Sequence, residues 1–128
     1  MKFQRLIVFL FILLHGKSIT AQSLEGSWKG TSLCQMKNSS CHDEIVVYHI
    51  SRDSTGKSFE VIGNKIVNGK EEYMGTLSFT YNDQQKTFVC VDSARNDKWE
   101  FKLTGNTMKG TLKYKGDLIR VVDVKKEN

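Results

Sequence analysis

Downstream of residue 23 the chain alternates between apolar and polar positions with a period of two. Trp99, Phe101 and Leu103 alternate with Lys98, Glu100 and Lys102, and Met108, Leu112 and Tyr114 alternate with Lys109, Thr111, Lys113 and Lys115. Successive residues of a strand point to opposite faces, so each run buries one face and wets the other. Tyr73, Leu77, Phe79 and Tyr81 likewise oppose Met74, Thr76, Ser78 and Thr80. The run Glu44 to Arg52 is apolar on both faces, and Val46, Tyr48 and Ile50 are taken as its inward set. The pattern predicts a first strand around Trp28 to about Leu33, then strands over Glu44 to Arg52, Ser58 to Val67, Glu72 to Tyr81, Lys86 to Asp92, Lys98 to Leu103, Thr107 to Lys115 and Leu118 to Val124.

Between these eight strands stand short connectors with turn chemistry, such as Asn68-Gly69, Gly105-Asn106 and Gly116-Asp117, which favour antiparallel neighbours in sequence order. A flat sheet of this kind would expose two edges, whereas closure into a barrel removes both. The expected fold is therefore all-β, an eight-stranded antiparallel up-and-down β-barrel, with a two-sheet sandwich as the alternative. The chain contains no proline, as suits ladders that use every amide.

The first strand carries Leu24-Glu25-Gly26-Ser27-Trp28-Lys29-Gly30. Gly26 and Gly30 stand two residues either side of Trp28, and their missing side chains let another backbone or a long side chain lie beside the indole. Upstream, Lys2 and Arg5 lead into the nine-residue apolar run Leu6 to Leu14 and a polar stretch ending at Ala21. This is the form of a cleavable secretory signal, and the run is too short for a membrane span, which takes roughly 20 residues. We expect residues 1–21 to be the signal, Gln22 to begin the mature chain, and 22–128 to form a single β-barrel domain that is secreted or periplasmic.

The full chain carries 19 bases and 14 acids. Without Lys2, Arg5 and Lys17 the mature chain has a net charge of only +2, so a nucleic-acid partner is not expected.

Gly26-Ser27-Trp28 on the first strand, together with the eight-strand meander, resembles the calycin group of lipocalins, avidins and fatty-acid-binding proteins. The chain is also similar to small secreted lipocalin-like proteins of Bacteroidetes type. The resemblance implies a calycin-like barrel and export. It also implies a basic residue of the last strand over the first-strand tryptophan, which puts Arg120 across Trp28 at the closed end and makes Gly26, Trp28 and Arg120 structural. Avidins place an asparagine two residues after the tryptophan to hold biotin; Gly30 stands there instead.

Chemistry-bearing motifs are sparse. Cys34 and Cys41 can close the loop Cys34 to His42 as a disulfide in an oxidising compartment, leaving Cys90 as a buried thiol; pairing of Cys90 with either loop cysteine is the alternative. The six-residue gap between Cys34 and Cys41 fits neither zinc-knuckle nor haem-attachment spacing, so no metal or cofactor is expected. Asn38-Ser39-Ser40 is an N-glycosylation acceptor if the source is eukaryotic. No hydrolase or phosphate-loop motif occurs, and His42 and His49 differ in parity, so no catalytic residue is assigned and an enzyme is not expected.

Three classes of function follow in order: a carrier of a small apolar or amphipathic molecule, a protein-binding module or inhibitor of a secreted hydrolase acting through the Cys34 to Cys41 loop, and an enzyme. For the carrier, the inward parity of Trp28, Tyr48, Tyr73 and Phe79, with Trp99, Phe101, Leu112 and Tyr114, makes these the ligand-binding candidates. They line either one cavity or one filled core. Inward Gly75 and Gly110 leave space opposite the large rings.

Overall fold

The computed structural model describes residues 23–37 and 39–128. The expected signal over 1–21, its cleavage before Gln22, and Asn38 of the glycosylation acceptor lie outside the described residues.

Eight antiparallel strands follow one another round a closed barrel: β1 (Gly26–Cys34), β2 (Glu44–Arg52), β3 (Phe59–Val67), β4 (Lys70–Asn82), β5 (Thr87–Asp92), β6 (Asp97–Thr104), β7 (Thr107–Tyr114) and β8 (Asp117–Lys126). Each strand pairs with its successor and β8 closes on β1, so the barrel rather than the sandwich is formed. In the hairpin loops Asn68-Gly69 and Lys115-Gly116 both residues have positive φ, the geometry whose twist matches that of paired strands.

The inward faces run as the alternation predicts. Val46, Tyr48 and Ile50 are buried, as are Phe79, Phe101, Met108 and Leu112. Val47, on the opposite parity of β2, is buried too, while Ile45 on that outer face is half exposed. Lys98, Glu100, Lys102, Lys109 and Lys113 face out. An apolar interior inside a charged exterior is the reverse of a barrel that spans a bilayer, and among the described residues no helix is long and apolar enough to cross one.

Two bulges break the parity. Across β3 and β4, Gly63 pairs with Gly75 but Asn64 with Tyr73, so Met74 is an extra residue and everything before it in β4 changes face. Across β7 and β8, Leu112 pairs with Arg120 but Lys113 with Leu118. Ile119 is the extra residue there, and Leu118 lies outside, 41 % exposed.

The turns β2–β3, β4–β5 and β6–β7 lie at the end where β1 begins, and this end is closed. Trp28 is fully buried, and its indole Nε1 donates to the carbonyl of Leu24 at 2.9 Å, drawing the buried Leu24 segment beneath the barrel. Phe88 stacks on Phe79 with ring centroids 4.6 Å apart and meets Phe59 edge-on at 5.7 Å, an aromatic plug of favourable geometry. The disulfide loop and the turns β3–β4, β5–β6 and β7–β8 frame the other end. There β4 and β5 diverge: only Thr80, Tyr81 and Asn82 of the long β4 pair with β5.

The glycine beside Trp28 acts as expected at Gly30. A Cβ there would stand 1.9 Å from the carbonyl oxygen of Asp123, so β8 approaches β1 more closely than any side chain allows.

Candidate functional site: the barrel interior

Above the aromatic plug the barrel holds a cavity of about 660 Å³ that reaches the end framed by the disulfide loop. Its walls come from alternate residues of the strands. On β6, Phe101, Trp99 and Asp97 climb one face from core to mouth; on β5, Phe88 and Asp92 do the same; on β2 the series is Ile50, Tyr48, Val46 and Glu44. The cavity is therefore apolar in depth and polar at its rim, the form of a site that buries a ligand's body and orients its end.

Five of the eight ligand-binding candidates line this space: Tyr48, Phe79, Trp99, Phe101 and Leu112. The other three lie elsewhere. Trp28 is in the plug below, fully enclosed by protein. Tyr73 is corrected from inward to outward: the Met74 bulge reverses its parity, leaving it 66 % exposed with its hydroxyl 2.8 Å from that of Thr76. Tyr114 keeps its parity but sits at the strand end beyond the cavity, 42 % exposed, with Lys115 Nζ 5.3 Å from its ring centre.

Arg120 is corrected as well. The β1–β8 register sets Trp28 opposite Lys126 and Cys34 opposite Arg120, about 20 Å apart along the strand at 3.3 Å per residue. The basic residue over Trp28 is Lys126, whose Nζ lies 5.8 Å from the ring centre. Arg120 instead works at the mouth. Its Nη1 donates to the Ser32 carbonyl at 3.2 Å and the Ser32 hydroxyl at 3.1 Å, and both Nη atoms reach the His42 carbonyl at 3.2 Å. Nη2 also lies 3.5 Å from Cys41 Sγ, and Glu44 stands 3.9 Å from Nη1. Cys34 and Cys41 are joined by a disulfide, and Cys90 is a buried free thiol. One guanidinium thus ties the end of β1, the stapled loop and β8 together.

Tyr48 brings a phenol hydroxyl into the interior. It is 7 % exposed, lines the cavity, and its hydroxyl has no hydrogen-bond partner among the described residues. Burial pushes its ionisation well above the ordinary phenol range, with the Arg120 charge opposing and the Glu44 charge adding to the effect, so at neutral pH it offers an O–H donor. Cys90 is likewise held as a thiol, first by burial and then by the charges of Asp92 and Asp97.

The residues that sequence reasoning missed are the rim: Ser32, Glu44, Asp92, Arg95 and Asp97, together with Met74 and Thr76 at the diverging edge of β4. Glu44, Asp92 and Asp97 share the parity of inward neighbours two positions away, so alternation extended to the strand ends would have found them. Met74 is the bulge residue and Thr76 lies on the edge of β4 that β5 leaves unpaired, so neither left such a signal.

A second cluster lies on the outer face. Ser27 Oγ is 2.8 Å from His49 Nδ1, His49 Nε2 is 2.6 Å from Glu71 Oε1, and Asn64 Nδ2 donates to the same oxygen at 3.2 Å. The order hydroxyl, imidazole, carboxylate is that of an activated nucleophile. Here, however, Ser27 sits within a strand laddered on both sides to β2 and β8, so neighbouring amides are not grouped to receive an oxyanion. The cluster serves as a clasp across β1, β2 and β4. The chain matches no family model, and no curated protein is significantly similar to it.

Proposed function

We propose that this chain is an exported, lipocalin-like binding protein that holds a small apolar or amphipathic molecule in its barrel. The observation that carries the reading is the cavity of about 660 Å³ with an apolar wall, into which the partnerless Tyr48 hydroxyl is set. A hydroxyl that opens onto an apolar cavity without a protein partner is placed to bond a ligand's polar atom and fix its orientation. A chain filled only by its own side chains would have no use for that arrangement.

The test is titration of a delipidated, disulfide-intact preparation with an environment-sensitive alkyl probe, beside native mass spectrometry for a retained ligand. Saturable one-to-one binding is expected. Gly75→Leu supplies the control. A Cβ at Gly75 meets nothing within 4 Å, so the larger side chain occupies cavity space and should abolish binding while the protein stays folded. Saturation unaffected by that variant would place the probe outside the barrel and count against the reading.

One observation favours a second reading. The loop between Cys34 and Cys41 is pinned by the disulfide and Arg120, and it presents Met36 at 46 % exposure beside exposed Lys37. A loop closed by a disulfide is what a protein-binding module or hydrolase inhibitor uses, since preorganisation lowers the entropic cost of docking. Capture of a secreted hydrolase that is lost on Met36→Asp would bring this reading forward.

A further inference from the structure

The charged groups of the cavity are arranged unequally, and the inequality bears on the chemical class of the ligand. Arg120, the cation that a fatty-acid carboxylate would seek, is already engaged: its two terminal nitrogens bond Ser32 and the His42 carbonyl, and Glu44 stands 3.9 Å away. An incoming carboxylate would have to displace these bonds and approach Glu44 against like charge. On the β5–β6 side of the mouth the balance is reversed. Asp92 and Asp97 are directly paired across the β5–β6 hairpin, and antiparallel partners have Cα atoms about 4.5–5.5 Å apart. Both are half-buried and both line the cavity.

Asp92 Oδ1 accepts the amides of Ala94 at 3.1 Å and Arg95 at 3.2 Å, which fixes the carboxylate in place. The Asp97 side chain has no hydrogen-bond or ion-pair partner among the described residues. Two like charges held together are unfavourable unless a cation joins them. The local cation is Arg95, which lines the cavity too but is solvent-exposed and forms no ion pair among the described residues; it is one charge against two. Directly below Asp97 on the same face is Trp99, stacked on Phe101 with planes 5° apart. An indole face beneath a pair of carboxylates suits an organic cation, which both would attract. The field of the two aspartates is felt further in, where they contribute to raising the Cys90 thiol.

We propose that the barrel selects amphipathic amines, with an ammonium held between Asp92 and Asp97 over Trp99 and the apolar body in the cavity, in preference to carboxylates of equal chain length. The proposal rests on the carrier reading above and narrows it. It also gives Tyr48, deeper in the cavity, the role of donor to an acceptor atom within the ligand's body.

The experiment compares dodecyltrimethylammonium, dodecanol and dodecanoate, each below its micellar concentration, by displacement of a bound alkyl probe from the disulfide-intact protein. The ammonium should bind roughly ten-fold or more tightly than the carboxylate, about 1.4 kcal/mol, with the alcohol between them. In Asp92→Asn/Asp97→Asn that preference should fall to near unity, with an unchanged far-ultraviolet circular dichroism spectrum as the control that the barrel is intact. Arg95→Gln, on an exposed turn, should widen the preference. Equal or tighter binding of dodecanoate, or a preference that survives the double variant, would overturn the amine proposal and leave the carrier reading standing. If none of the three displaces the probe, both fall.

Discussion

Arg120 holds three parts of the chain through one side chain, and its substitution separates packing from charge. Arg120→Ala leaves Glu44, itself only 20 % exposed, beside the vacated position, and frees the carbonyls of Ser32 and His42. Removing this half-buried guanidinium, with its hydrogen bonds to Ser32 and His42, should cost about 2–4 kcal/mol, read as a lower urea midpoint at constant slope. Arg120→Lys should recover less than half of this, because a single ammonium cannot reach two separated carbonyls as the guanidinium fork does. At Gly30 the expectation is sharper still. A methyl group 1.9 Å from the Asp123 carbonyl and 2.8 Å from the Val124 Cα forces two backbones apart. Gly30→Ala should therefore cost about 3 kcal/mol or prevent folding, whereas Gly75→Ala, with open space around its Cβ, should be neutral or slightly stabilising. Sequence spacing marked both glycines as places without a side chain. It did not show that one admits a neighbouring strand and the other a void, since that distinction lies in what the rest of the chain brings alongside.

Among the elements, the outer clasp makes β1, β2 and β4 sensitive to acid. Glu71 is held below the ordinary glutamate value of 4.5, chiefly by the hydrogen bond from His49 and then by that from Asn64. A carboxylate whose folded-state value is depressed adds stability above its unfolded value, and that contribution is lost as pH falls through the folded value. Wild type should thus lose stability below about pH 4.5 more steeply than Glu71→Gln, the two melting curves converging at low pH; parallel curves would refute the assignment. Asp53, held down first by the Thr55 hydroxyl, should act in the same direction at the β2–β3 turn. The staple between Cys34 and Cys41 closes a loop of eight residues, for which chain entropy gives about 2–3 kcal/mol. Mild reduction should lower the urea midpoint accordingly, and peptide mapping without reduction should recover Cys90 unlinked. The strands were legible because alternation is local. The bulges at Met74 and Ile119 were not, because an extra residue looks like any other until its partner strand fixes the pairing, and each slip of one residue reverses a face. Tyr73 was assigned inward for that reason.

At the scale of the whole molecule, closure separates a packed end from a hollow one. The plug of Trp28, Phe59, Phe79 and Phe88 carries the core, while the cavity above it carries the chemistry. A ligand that fills this space should raise the thermal midpoint in wild type and not in Gly75→Leu, since only binding to the folded state shifts the equilibrium. The alternation of side chains and the turn residues, both encoded within a few neighbouring positions, were enough to determine eight antiparallel strands, a charged exterior and an apolar interior. Proximity in the chain likewise favoured the Cys34–Cys41 pair. Which cation covers Trp28 was decided by the β1–β8 register, which joins residues nearly a hundred positions apart: the indole lies opposite Lys126, and Arg120 lies at the far end of the strand. The hollow, too, belongs to the tertiary structure alone. Parity names the residues that face inward, but whether their rings meet or leave about 660 Å³ between them depends on how eight strands tilt and close.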